Sequence, residues 1–197
     1  MNVIDAIVTR HSTRRYTDRI VEQEKLEIVL SAGLHGPTGG SSKNRHFLVI
    51  RERQVLEEMG RLVAETFAKM DLATQTNPSV RNSITKAQTG DYVFHYAPPV
   101  LIVLAAKKDY PNALADCACA LENMMLAANA LDLGSCWINQ LHWLDADPAV
   151  REYLYGLGLQ EDETVCGALS LGYADTENGL PARHEETLPE SLITYIG

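Results

Sequence analysis

Residues 113–131 constrain the fold more than any other stretch. After Ala115 the only polar positions are Asp116, Glu122, Asn123 and Asn129, so a helix over this span is apolar almost all the way round. Such a helix belongs in a core or in a subunit interface. Asp132-Leu133-Gly134 ends it, with Gly134 as C-cap. Ser135-Cys136-Trp137-Ile138 then reads as a short buried strand. Upstream, Pro98-Pro99 introduces Val100–Ala106, an unbroken apolar run that predicts a strand covered on both faces.

The remaining periodicities fill in around these two. Leu26, Val29, Leu30, Gly33 and Leu34 recur at helical spacing within 22–35, as do Val55, Leu56, Met59, Leu62, Val63, Phe67 and Met70 within 54–70. His46–Ile50 and Thr164–Tyr173 read as strands, and Asp147-Pro148 opens a helix through Tyr153. Residues 71–96 are polar and weakly periodic, fitting a lid, a mobile connection or loosely packed short helices. The tail after Ala174 needs a docking surface to be ordered. The pattern predicts an α+β or α/β sheet sandwiched by helices.

Length and charge narrow the function classes. The 197 residues suit one domain, with 46% hydrophobic and 22% charged residues. A net charge of −9 argues against nucleic acid as the main partner. No apolar run is long enough to span a bilayer and the start of the chain has no signal-peptide pattern, so a cytoplasmic protein with no membrane partner is expected. The four cysteines have no zinc-ligand spacing and are expected to be buried, reduced thiols; no metal site is expected.

Against that acidic background, Arg10-His11-Ser12-Thr13-Arg14 stands out. In an extended backbone, positions i, i+2 and i+4 share a face, so Arg10, Ser12 and Arg14 point the same way. Two guanidinium forks and a hydroxyl suit a phosphate. Solvated arginines pairing with nearby carboxylates are the plainer reading of the same residues.

The chain resembles the FMN-dependent nitroreductase family from residue 2 to about 184. The resemblance rests on the R-x-S-x-R opening and the loop Pro37-Thr38-Gly39-Gly40-Ser41-Ser42 before the His46-Phe47 strand. It includes Ala97-Pro98-Pro99, the apolar helix running into Leu133-Gly134-Ser135-Cys136-Trp137-Ile138, and the basic Arg183 near the C-terminus. It implies one α+β domain over 1–197, with a mixed central sheet flanked by helices, in an intertwined homodimer. Residues 71–96 become a trimmed lid, and 175–197 a tail docking on the partner subunit.

The resemblance also implies a flavin site. Arg10, His11, Ser12, Arg14 and Arg183 would grip the phosphate and ribityl chain. Pro37, Thr38, Gly39 and Ser41 of the second subunit would lie against the flavin ring, and Trp137, Ile138 and Asn139 would pass its N5 edge. Gly39 and Gly40 would let the backbone approach the flat ring. Ser41, Lys43, Asn44 and Arg45 stand where many relatives have N-x-Q-P-W, and Asn139 where some have an acidic residue. No catalytic side chain is demanded, because FMN carries the chemistry. The implied reaction is ping-pong hydride transfer from NADH or NADPH to nitroaromatics, quinones or similar small electron-poor acceptors. Reductive dehalogenation and flavin fragmentation occur on similar folds. A non-enzymatic nucleotide-binding module is the alternative from another class.

Overall fold

The structure is a computed structural model describing residues 1–90, 92–184 and 193–197. Residues 185–192 of the expected tail and residue 91 of the candidate lid lie outside the described residues. Chain order is α1 (Val3–Thr9), α2 (Gln23–Leu34), β1 (Arg45–Ile50), α3 (Arg53–Ala68), α4 (Pro78–Thr89), β2 (Val100–Lys107), α5 (Ala113–Ala130), β3 (Gly134–Ile138), α6 (Gln140–Trp143), α7 (Pro148–Gly156) and β4 (Glu163–Gly172).

The strands form one sheet in the order β1-β2-β4-β3, and every neighbouring pair is antiparallel. The mixed character comes from an isolated parallel bridge between Ser12 and Ser135. Strand β2 shows why the order matters. Val100, Ile102, Leu104 and Ala106 point to one face and pack with α2 and α5; Leu101, Val103 and Ala105 point to the other, toward α3, α4, α6 and α7. Both faces of the sheet are therefore dry, and the strand has no polar alternation.

Helix α5 buries Cys117, Ala120, Leu121, Met124 and Ala128 against the sheet. Its opposite side leaves Leu114 exposed and Cys119 only half-buried, so three of the four free cysteines are buried rather than all four. Helix α1 buries only Ala6 as it packs on α5 and turns Val3, Ile4, Ile7 and Val8 to solvent. Ile28 and Leu34 of α2 are exposed as well. The apolar residues that make α5 unusual are thus divided between the core and an uncovered apolar surface.

Residues 71–96 hold a short 3-10 turn and α4, a capped helix. Asn77 accepts from the N–H groups of Ser79 and Val80, Pro78 starts the first turn, and Gly90 closes the end at φ 98. Val80, Ser83 and Ile84 are buried against the α3 side of the core. Ser83 stands where an apolar residue would have made the helical stripe legible; its hydroxyl accepts a 2.7 Å hydrogen bond from Tyr92.

The end of α5 corrects a detail. The left-handed residue there is Asp132 (φ 63), and Gly134 already belongs to β3. A Cβ on Gly134 would lie 2.6 Å from Oγ1 of Thr13, so the glycine is needed because the opening segment crosses it. Gly134→Ala is expected to destabilise the protein by about 1–3 kcal/mol, the range for overpacking, and to push the 10–14 segment off β3. Chemical denaturation and amide exchange at Thr13 read both effects; unchanged exchange at Thr13 contradicts the explanation.

Candidate active site

The segment after α1 leaves the helix in an extended conformation at Arg10 (φ −70, ψ 125). Thr13 donates its N–H to the Ser135 carbonyl at 2.9 Å, and Tyr16 bridges to Ala174. Residues 10–16 therefore lie along the β3 side of the sheet, and alternation sorts their side chains. Arg10, Ser12 and Arg14 all act on Cys136. Burial pushes the Cys136 thiol up, while the Arg14 charge, a hydrogen bond from Ser12 and the Arg10 charge pull against that rise. Arg15 turns the other way, exposed and near Asp175 at 3.8 Å.

The two converging arginines differ in their partners. Arg10 has a weak ion pair with Glu122 at 3.8 Å. Arg14 has no carboxylate partner among the described residues; it stands 6.0 Å from the Tyr96 ring. Among the described residues no carboxylate pairs with its charge, in a chain of net charge −9.

The C-terminal stretch meets this segment. His11 stacks on His184 with ring centroids 3.8 Å apart, and its Nε2 lies 2.7 Å from the His184 carbonyl. Arg183 reaches the end of α5 instead. It donates to Asn129 Oδ1 at 2.9 Å, to the Asn129 carbonyl and to Asp132 at 2.8 Å. Asn129 in turn donates to the Ala6 carbonyl and to Thr9. Within this chain Arg183 ties α5 and α1 to the C-terminal stretch, and Asp132 balances its charge.

The loop at 37–42 is not brought to the arginines. Gly39 donates its N–H to the Asp116 carboxylate at 3.1 Å, and the Tyr110 hydroxyl lies 2.9 Å from the Gly39 carbonyl and 2.7 Å from Asp116. Asp116 is in the first turn of α5, whereas Asn129 is near its end, about 20 Å away at 1.5 Å rise per residue. The reason for Gly39 also differs from expectation. A Cβ there would fall 2.3 Å from Asn112 Nδ2, so packing within the chain requires the glycine. Gly40 and Ser41 have φ near 60 (60 and 57), and Gly40 faces open space. Pro37 and Ser41 are exposed, and Thr38 is half-buried.

Beyond β3 lies a cleft of 660 Å³ between α4 and the start of α6. Trp137 and Asn139 line it, joined by a 2.7 Å hydrogen bond from Trp137 Nε1 to Asn139 Oδ1. Ile138 does not line it: its side chain is 2% exposed and packs in the core beside Cys136. Strand alternation is the cause, since Trp137 and Ile138 must face opposite ways.

Tyr92, Tyr96 and Ala97 complete that wall. Composition did not single them out, yet the backbone at Tyr96 and Ala97 is left-handed, with φ of 61 and 49. Side chains rarely adopt this region, at a cost of about 1–3 kcal/mol each. His95 holds the strained pair. Its buried ring accepts from the Ala97 N–H at 3.0 Å through Nδ1 and bonds the Leu56 carbonyl at 2.9 Å through Nε2. The Ser170 hydroxyl donates to the His95 carbonyl at 2.8 Å. Burial lowers the His95 pKa. Below about pH 6.5 the unfolded chain takes up a proton that the folded ring refuses, so stability falls as pH falls. The urea midpoint is expected to drop between pH 7.5 and 5.5 (a range of about two units around the imidazole pKa), and His95→Gln to flatten that slope. Equal slopes in both proteins contradict this role.

With this geometry in hand, comparison with known proteins is specific. The Nitroreductase family profile matches residues 7–173. A crystal structure of a nitroreductase with bound FMN from Bacteroides fragilis is 34% identical over the full length of both chains, with a TM-score of 0.87. An Archaeoglobus fulgidus protein named "Putative NADH dehydrogenase/NAD(P)H nitroreductase" is 33% identical over 94% of this chain and 93% of its own. An iodotyrosine deiodinase bound to FMN and 3-iodo-L-tyrosine shares the fold at 16% identity, covering all of both chains with a TM-score of 0.75.

Proposed function

The chain belongs to the nitroreductase family, and on that footing we propose that it is an FMN-dependent oxidoreductase drawing electrons from NADH or NADPH. The observation that carries the reading is the convergence of Arg10, Ser12 and Arg14 on one face, with Arg14 lacking a carboxylate partner among the described residues. A phosphate monoester brings about two negative charges and three acceptor oxygens. Two guanidiniums and a hydroxyl match that demand, so the residues present fit the group. His11 stands beside them, and Arg183 has N–H capacity left after its bonds to Asn129 and Asp132. When bound, FMN supplies the redox chemistry, taking electrons from the nicotinamide and passing them to an electron-poor acceptor.

The chain's own residues bind and orient. The arginine face holds the phosphate end. Trp137 and Asn139 flank the ring through the β3 exit, where Ile138 contributes backbone only. The cleft beyond them admits donor and acceptor in turn and supports an enzyme over a passive nucleotide-binding module. Pro37, Thr38, Gly39 and Ser41 lie too far along α5 to join this site within one chain, which supports their arriving from a second copy. The exposed apolar residues of α1, with Leu114 and Ile28, supply a surface for that homodimer.

Initial-rate kinetics test the reading. Varying NADPH or NADH at several fixed concentrations of a quinone or nitroaromatic is expected to give parallel double-reciprocal lines, because both use one site. Intersecting lines contradict the shared cleft, and absence of turnover with every acceptor contradicts the enzyme. Halide release from halogenated aromatics would assign the dehalogenase variant instead.

A further inference from the structure

The cleft between α4 and the β3 exit is aromatic on its walls and carries one cation. Tyr92, Tyr96, Trp137 and Trp143 supply the rings, and Asn139, whose carbonyl is taken by Trp137, leaves its amide N–H groups to donate. Lys86, in the last turn of α4, is the sole ionised side chain among the described residues lining it. Its ammonium has no ion pair among the described residues, although carboxylates outnumber Lys and Arg 26 to 17 in this chain. Chance surface pairing would have been easy; Lys107, at the far end of β2, bonds Asp162 at 2.6 Å. A chamber lined by aromatic rings, with neutral amide donors and one cation that is unpaired among the described residues, matches a planar anion.

Resting on the oxidoreductase reading, we propose that Lys86 is the specificity-determining residue for the acceptor, selecting planar aromatic molecules that carry a carboxylate or a similar anionic group. The rings stack on the molecule's body and the ammonium holds its charge. A purely structural Lys86 would act on the α4 macrodipole and on nothing in the cleft.

The test compares 4-nitrobenzoate with its neutral methyl ester in the wild-type holoenzyme, Lys86→Met and Lys86→Arg, at saturating NADH or NADPH. Wild type is expected to show a KM for the carboxylate about fivefold below that for the ester, the scale of a partly exposed charge-assisted hydrogen bond. The advantage shrinks with added salt. Lys86→Met erases it and Lys86→Arg keeps it. Because the readout is a ratio within each protein, changes in folding or flavin loading cancel. An unchanged ratio in Lys86→Met overturns the proposal. So does a raised KM for the nicotinamide donor with the acceptor ratio intact, which assigns Lys86 to the donor's phosphates. If no protein turns over either of these two acceptors, quenching of tryptophan fluorescence by 4-nitrobenzoate measures anion binding directly, and the quinone and nitroaromatic panel above decides the enzyme reading separately. A fivefold loss in Lys86→Met (about the ratio above) supports the Lys86 assignment there, and equal binding overturns it.

Discussion

Arg14→Ala is expected to weaken FMN binding about thirtyfold, or about 2 kcal/mol, while Arg15→Ala leaves it unchanged. The two residues are adjacent and equally charged, so net charge alone predicts the same effect for both. Extended geometry separates them. Arg14 faces Cys136 with no carboxylate among the described residues to balance it, and Arg15 faces Asp175 across solvent. Arg10→Ala should cost less than Arg14→Ala, because Glu122 already offsets part of the Arg10 charge. Titration of apoprotein followed by flavin fluorescence measures all three. Equal losses for Arg14 and Arg15 would mean that only the long-range field attracts the phosphate.

The second large effect concerns stability. Asp145→Ala should lower it by about 3–4 kcal/mol, because an arginine, a side-chain hydroxyl and a backbone N–H lose their acceptor in a poorly hydrated place. Asp145 accepts from Arg151 at 2.8 Å, from the Thr164 hydroxyl at 2.6 Å and from the Val165 N–H at 3.0 Å. The side chains of Asp145 and Arg151 are only 18% and 12% exposed, so solvent screening is limited. Arg151 also donates to the Glu163 carbonyl, which fastens α7 to the start of β4. The midpoint of urea unfolding is the measurement. A loss under about 1 kcal/mol, typical of an exposed pair, would mean that water replaces the carboxylate.

How much of this was legible in the sequence depends on whether the controlling force is local. The unbroken apolar run of β2 and the near-continuous apolar helix α5 declare burial on both sides; the structure gives it to β2, while α5 is buried on one side and leaves Leu114 exposed on the other. Antiparallel pairing of β2 with both β1 and β4 is decided by chain returns that no local pattern encodes. Helix α4 was obscured because Ser83 interrupts the stripe of Val80 and Ile84, and its partner Tyr92 lies nine residues away (|i−j| = 9).

The candidate site divides in the same way. The common face of Arg10, Ser12 and Arg14 follows from strand alternation. The same rule, applied to Trp137-Ile138, would have removed the Ile138 side chain from the cleft. Glycines were harder. Gly39 and Gly134 are required by Asn112 and Thr13, which are far off or across a chain turn, so their purpose needs coordinates. The left-handed Tyr96-Ala97 wall was illegible because Leu56 and Ser170, which fix the His95 that holds it, come from different parts of the fold.

The absorption spectrum of the purified protein tests the central claim most directly. The account predicts a yellow protein retaining FMN, whose flavin band bleaches when NADH or NADPH is added without oxygen. A colourless protein that takes up no added FMN would contradict it.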